Sequence, residues 1–332
     1  MKKPNCDPQD IAIKSFFLGP QAENSSWFKE QWIQILDRWI LWRKSLFPKD
    51  GQAISIDDQT QPEFKALQDR TSQSVDLLLK KLEAELPKFT PRYMGHMIAE
   101  ASLPALIGHV ATLLHNPNMT TRESSKVTSD LETEAIGELA KMVGFPNSAI
   151  GHFTGGGTVA NIEALWRARY RFDNFFALAL KRKSTKIHDD FFSQCHIDHD
   201  TFLTQKKQFL ESEVMDHSFV KNGPWKIQTL FQSLYKKPFE GPIVFVPGNK
   251  HFSWQKAVSL LGLGDSAFWS IAIDKNGKLS VPDLKNKIEK ARAESRPILM
   301  VVSVLGTTEL GTVDPIEEIQ NLLDFYKKEQ GL

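Results

Sequence analysis

Residues 154–161 read TGGGTVAN and run at once into IEALWRARYRF, whose spacing predicts a helix. The first four N–H groups of a helix have no internal partner, and its N-terminal end carries partial positive charge. Glycines at that point let the backbone come close to a bound group. Gly155, Gly156 and Gly157, with the hydroxyl of Thr158 and the amide of Asn161 one turn on, therefore suit an anion, a phosphate above all. The stretch fits neither the G-x-G-x-x-G pattern of dinucleotide sites nor the G-x-x-x-x-G-K-[ST] pattern of nucleotide hydrolases, which excludes those two ligands as first choices. Alone, a glycine turn before a helix is often only a turn.

Two further stretches carry chemistry. PGNKHFSWQKAVSLLG places His251 just after the apolar run PIVFVP and at the start of a helix, and VVSVLGTTELGTVDPIEEI places Gly306, Thr307 and Thr308 after another apolar run. A flat anionic cofactor lying across strand ends would use these types: a phosphate cup, an imidazole to stack on its ring and small hydroxyl residues beneath it. Each also has a plain reading, His251 as a capping or core histidine and Gly306–Thr308 as a strand exit. Asp314 is expected to cap the helix PIEEIQNLLDFYKK, with Pro315 in its first turn. His188, His196, Asp198, His199 and Asp200 lie close together, but at irregular spacing they read as solvated loop residues, and no metal is expected.

These residues need a frame. From about residue 150, short apolar runs (AIGHFT, PIVFVP, AFWSIAID, PILMVVSVLG) alternate with helical patterns (TVANIEALWRARY, SWQKAVSLLGLG, SVPDLKNKIEKARAE, DPIEEIQNLLDFYKKEQ). That alternation predicts βα units and a mostly parallel sheet with helices on both faces, and ligands on such sheets gather at the carboxyl ends of the strands. The polar stretch from 181 to about 240 reads as a surface insertion. Earlier in the chain the patterns are helical. SSWFKEQWIQILDRWILWRKSLF offers Ser26 as N-cap and carries Trp32, Ile35, Leu36, Trp39 and Ile40 on one face, for packing or for a subunit interface. PEFKALQDRTSQSVDLLLKKLEAEL, SLPALIGHVATLL and SDLETEAIGELAKMVGF follow, the last ending at Gly144 before Pro146.

Composition narrows the class. The chain of 332 residues is 41% hydrophobic and 24% charged with a formal net charge of +1, so it offers no field for nucleic acid or an anionic membrane. No apolar run reaches the length of a spanning helix, and the first residues lack the pattern of a signal peptide. Cys6 and Cys195 stand far apart without metal-ligand spacing, which suits a reducing, cytoplasmic setting.

In this order the blocks resemble the pyridoxal-phosphate-dependent amino acid decarboxylases of the group that contains the aromatic amino acid, glutamate and bacterial tyrosine decarboxylases. PRYMGHMIAEASLPALIGHVATLLHNPN is similar to that family's N-terminal substrate-side block. TGGGTVANIEALWRAR is similar to its phosphate turn, KHFSWQKA to its ring-stacking histidine block and GTTELGTVDPIEEI to its GTT block. The resemblance runs from about residue 85 onward, outside 181–240. It implies an α/β fold, the large domain of the pyridoxal-phosphate-dependent aminotransferase-like (type I) architecture, incomplete and spanning 116–332, behind a helical segment 1–115 on the dimer and substrate side. It also implies a carboxy-lyase that takes pyridoxal 5′-phosphate and an amino acid substrate. Gly156, Gly157 and Thr158 would bind the phosphate, His251 would stack on the pyridine ring as the catalytic histidine, and Thr308 would lie near the ring substituents. Tyr93 and His96 would border the substrate, and the YMGHM wording leans towards the tyrosine branch. The implied partner is a second copy of the chain, or a companion chain that carries the rest.

The family's chemistry needs a Schiff-base lysine and an aspartate, in an H-x-D-A-A-type strand, that pairs with the pyridine nitrogen. Neither motif occurs within residues 1–332, and Lys250 and Lys256, beside His251, belong to the stacking block. The expectation is an N-terminal part of a decarboxylase, its sheet short of a strand and inactive alone. The other expectation is a non-catalytic remnant or one half of a split enzyme.

Overall fold

The computed structural model describes residues 8–95 and 98–329. Contacts between residues divide the chain into two compact units, Met1–Gly151 and His152–Leu332. The boundary read from sequence, between 115 and 116, falls inside the first.

The first unit is helical: α1 Pro8–Lys14, α2 Ser25–Leu46, α3 Ile56–Thr60, α4 Pro62–Leu82, α5 Leu103–His115 and α6 Thr128–Met142. The four helices expected here from apolar spacing all form. Ser26 is not the cap of α2. The helix begins at Ser25, and Asn24 takes the N-cap position without a side-chain capping bond, its amide donating instead to Phe17 O (2.6 Å). α6 closes as its sequence predicts, with Gly144 at φ +76° donating to Lys141 O (3.1 Å) and Phe145 N donating to Ala140 O (2.9 Å). That paired-bond end needs a left-handed residue, which glycine supplies. The apolar stripe of α2 is not a closed packing face. Trp32, Leu36 and Ile40 are 38–43% exposed, and among the described residues of this unit Leu103 is the one buried hydrophobic side chain.

The second unit begins with the long helix α7, Gly157–Ser184, followed by α8 Phe191–Gln194, α9 His199–Lys206, α10 Glu211–Met215, α11 Phe219–Asn222 and α12 Pro224–Tyr235. The βα part comprises β1 Ile243–Pro247, α13 Ser253–Leu260, β2 Phe268–Ile271, α14 Val281–Ala293, β3 Ile298–Val301 and α15 Ile316–Glu329. The strands are all parallel in the order β2-β1-β3, with Val244 opposite both Phe268 and Met300. β1 is central and buried at every residue, as the unbroken apolar run IVFVP requires of a strand covered on both faces. Successive side chains of a strand point to opposite faces. Ile243 and Phe245 accordingly pack with Leu284, Ile288 and Tyr326 of α14 and α15, while Val244 and Val246 pack with Leu165 of α7 and Trp254, Ala257 and Val258 of α13.

Two expectations fail. AIGHFT is not a strand: residues 149–154 hold no regular structure, and Ile150 is 92% exposed. A strand exists through its ladder partner, and among the described residues none pairs with this run. The 181–240 stretch is not a surface insertion either. Phe191, Cys195, Phe219, Ile227 and Phe231 close over Phe172, Phe176 and Leu180 of α7 in a single buried cluster. The segment is built of helices of 4–8 residues before α12, too short to display a 3.6-residue period, so its charged residues masked its core.

Candidate functional site

The loops leaving the carboxyl ends of β1 and β3, together with the N-terminus of α7, line a cavity of about 430 Å³. Gly157 and Thr158 come from α7, Asn249 and His251 from the β1–α13 loop, and Thr308 from the loop after β3. With Asn161 and Gly306, six of the residues singled out in the sequence thus line one space. Gly156 precedes them as the N-cap of α7. Its φ of +154° favours glycine, and a methyl group built on Gly155, Gly156 or Gly157 would meet nothing within 4 Å.

α7 is uncapped. Among the described residues no side chain bonds its first turn, and its first backbone bond runs from Ala160 N to Gly156 O (3.1 Å), which leaves the earlier amides for a ligand. The turn itself is held by Thr154 Oγ1 donating to Gly156 O (3.0 Å) and by His152 Nε2 against Glu163 Oε2 (2.9 Å). That histidine contact keeps the Glu163 carboxyl below its ordinary range, helped by Arg167.

His251 is half-buried and bound to α7 at one remove. Its Nδ1 lies 2.9 Å from Ser253 Oγ and accepts from Ser253 N (3.2 Å), and Asn161 Nδ2 donates to Ser253 Oγ (2.8 Å). Thr308 is half-buried, and its hydroxyl bonds no other described residue. Thr307 is structural instead: buried, it meets Thr312 Oγ1 at 2.8 Å, and Thr312 in turn donates to Gly277 O (3.0 Å). Asn249 Nδ2 donates to the same carbonyl (2.8 Å), while its Oδ1 is buried without a partner among the described residues. Asp314 departs from expectation. Its buried carboxylate accepts from Leu279 N (2.8 Å) and Val304 N (2.7 Å), so it staples the loop after β3 to the β2–α14 connection, where a helix cap was expected. Buried main-chain donors need a partner more than a helix end near water does.

Lys250 lies over the Phe268 ring (5.2 Å) and Lys256 over the Phe252 ring (4.6 Å), and neither lines the cavity. Tyr93 belongs to the first unit, where its N–H donates to Thr90 O (2.9 Å), and His96 lies outside the described residues. A second cavity of about 440 Å³ is lined by Phe172, Phe175, His196, Ile298 and Tyr326 among others. Two histidines, His196 and His199, line it, and the first is taken up by structure: His196 Nδ1 donates to Phe192 O (2.7 Å) and Nε2 accepts from Ile298 N (3.0 Å). Burial keeps this ring below its ordinary pKa and therefore neutral. Asp198 is the N-cap of α9, accepting from Thr201 N (2.9 Å).

Asn249, Ser253 and the buried role of Asp314 were not read from the sequence. The signal for Ser253 was present, a serine two residues after a histidine at a helix start. Asn249 sits two residues before that histidine in a turn that many residues could fill.

Comparison with known proteins gives the family. Residues 231–329 match the family described as the pyridoxal-dependent decarboxylase conserved domain. The chain is 31% identical over 334 residues to an L-tyrosine decarboxylase of Levilactobacillus brevis, covering 99% of this chain and 51% of that protein. It is 27% identical to an aspartate 1-decarboxylase of Aliivibrio fischeri, covering 94% of this chain and 52% of that protein. In fold it is similar to the glutamate decarboxylase domain of a Vibrio parahaemolyticus transaminase and decarboxylase protein, with a TM-score of 0.54 at 18% identity over 89% of this chain and 56% of the other. Mouse CSAD in its apo form gives a TM-score of 0.51 at 20% identity, over 86% and 45%. The chain belongs to the family of pyridoxal-dependent decarboxylases, which use pyridoxal 5′-phosphate, and its fold is the α/β fold of that family. It spans about half the length of the curated relatives it matches. The residues present fit that group on their own chemistry. An uncapped helix end and open space beside three glycines suit a phosphate, and an orphaned acceptor on Asn249 suits a donor on a ligand.

Proposed function

We propose that the cavity at the strand ends holds pyridoxal 5′-phosphate, and that the protein is an amino acid decarboxylase of the aromatic, tyrosine-decarboxylase-like kind. One observation carries this reading: the uncapped start of α7, His251 and the unbonded hydroxyl of Thr308 line a single cavity. The bound cofactor supplies an electron sink that lets carbon dioxide leave an amino acid. The chain's own residues bind and orient. The amides of Gly157 and Thr158 and the Thr158 hydroxyl bind the phosphate, with Gly156 shaping the turn. His251 presents an aromatic face to the ring, and Thr308 bonds a ring substituent. Tyr93 and His96 belong to the substrate side in this reading. The substrate choice is supported by two relatives, 31% and 30% identical, whose names are L-tyrosine decarboxylase.

The exposed apolar residues of α2 and α4, Trp32, Trp42 and Leu77–Leu79 among them, support a homodimer in which a second copy covers them. Among the described residues no helix is long and apolar enough to cross a membrane, and a cytoplasmic setting is part of the reading.

Residues 1–332 contain neither the family's cofactor-holding lysine motif nor its pyridine-pairing aspartate motif. Residues 1–332 by themselves are therefore not expected to turn substrate over, and one half of a split enzyme or a binding remnant is the alternative reading. The experiment is to purify the chain, add pyridoxal phosphate, reduce with borohydride and measure carbon dioxide release from a panel of amino acids. No stoichiometric lysine adduct and no release are expected. Release on adding a second chain that carries both motifs supports the split enzyme. A single-lysine adduct with sustained release from the chain alone contradicts this account.

A further inference from the structure

We infer that Asn161 and Ser253 are positioning residues: they form a directed hydrogen-bond chain that fixes the orientation and tautomer of His251. The inference rests on the reading of His251 as the cofactor-facing ring.

Direction follows from which groups can only donate. Ser253 is fully buried at the first position of α13, where its N–H has no helical partner, and it donates to His251 Nδ1 at 3.2 Å. A main-chain N–H cannot accept, so Nδ1 presents a lone pair and the neutral ring carries its proton on Nε2. Asn161 Nδ2 donates to Ser253 Oγ at 2.8 Å, across 92 residues of sequence. That contact fills an acceptor site of Oγ and turns the hydroxyl proton towards Nδ1, 2.9 Å away. The chain therefore runs from Asn161 to Ser253 to His251.

Its ends matter. Asn161 lies one turn beyond Thr158 on α7, so the chain ties the anion-binding helix start to the ring. Phosphate cup and stacking face are thereby held in one geometry. Among the described residues Nε2 has no partner, so its N–H is the ring's one free donor, on a side chain that lines the cavity. Without the chain the ring could turn about its Cβ bond or change tautomer, and an acceptor would replace that donor.

The test reads tautomers directly and needs no cofactor. Long-range proton–nitrogen NMR of the full chain, labelled at histidine and assigned by loss of a signal in His251→Gln, separates proton-free from protonated ring nitrogens. In the parent chain Nδ1 is expected proton-free and Nε2 protonated. Asn161→Asp reverses the chain, because a carboxylate can only accept. The serine proton then turns to the new carboxylate, and Nδ1, left with the main-chain donor of Ser253 alone, shifts its nitrogen resonance towards that of a nitrogen without a hydroxyl donor, whereas Asn161→Ala does not produce that shift. A protonated Nδ1 in the parent overturns the proposal and requires no variant to fold. So does an Asn161→Asp spectrum identical to that of Asn161→Ala.

A second measurement ties the chain to the cofactor. Pyridoxal phosphate affinity is expected to fall several-fold in Ser253→Ala and to return in Ser253→Thr, which keeps the hydroxyl. Equal loss in both variants overturns the positioning role. If the parent tautomer is as stated but pyridoxal phosphate does not bind, the cofactor reading fails while the hydrogen-bond chain stands.

Discussion

The two units differ in what they bury. The second closes a core of its own, with a central strand wholly inside and a ring cluster in which Phe176 meets Phe172, Phe191, Phe219, Phe231 and Phe239. The first forms its helices but leaves their apolar residues open to solvent, with Trp27, Trp42 and Leu77–Leu79 all at 45% exposure or more. Helices of the same quality by local sequence thus have two fates. Periodicity decides that a helix forms, and the surface available to cover its stripe decides whether that stripe becomes a core. Large exposed apolar surface marks a place where another surface binds.

Substitutions can break or sharpen this contrast. The largest effect is expected from Phe176→Ala in the second unit, which empties a fully buried site ringed by aromatic partners and should cost about 3–5 kcal/mol, read from denaturant unfolding. An effect below about 1 kcal/mol would mean that the ring cluster is not a packed core.

An intermediate effect is expected from pH. His196 is held neutral, its pKa lowered from the ordinary value of 6.5 chiefly by burial, with bonds to Phe192 and Ile298 opposing. A base whose folded pKa is depressed contributes stability that is present above the unfolded value and is lost as pH falls below it towards the folded value. Stability should therefore fall as pH drops below about 6.5, the ordinary value, and the fall should flatten in His196→Gln. Asp173 works in the other direction. Burial raises its carboxyl, so its contribution grows as pH falls through the raised folded value, and the histidine variant separates the two.

The smallest effect on folding is expected from Trp32→Ala in the first unit, within about 0.5 kcal/mol, because the ring is already 38% exposed. Its consequence should appear in sedimentation as weaker self-association. A monomeric parent, or an unchanged association constant, would remove the support that this surface lends to a dimer.

The same contrast explains what could be read in the sequence. Long amphipathic runs and the unbroken strand IVFVP announce themselves, and so do Gly157, Thr158, His251 and Thr308, each a distinctive residue next to an apolar run. Ser253 and Asn161 could not be paired from sequence, because their contact spans 92 positions and depends on how α7 meets α13. Asp314 read as a helix cap, since a local role is the one a sequence displays, whereas its carboxylate serves backbone 35 residues away. The core in 181–240 was hidden for a related reason. Its phenylalanines sit on helices too short to repeat, and AIGHFT looked like a strand because an apolar run does not reveal whether a ladder partner exists.

Equilibrium binding of pyridoxal phosphate tests the central claim, that the cavity at the strand ends is a cofactor site. Fluorescence titration of the parent chain should show one saturable site. Thr158→Val should weaken it by removing a phosphate contact, and His251→Ala by removing an aromatic face, each by about 1 kcal/mol or several-fold in affinity. Saturable binding that neither substitution changes would place the cofactor elsewhere and contradict the account.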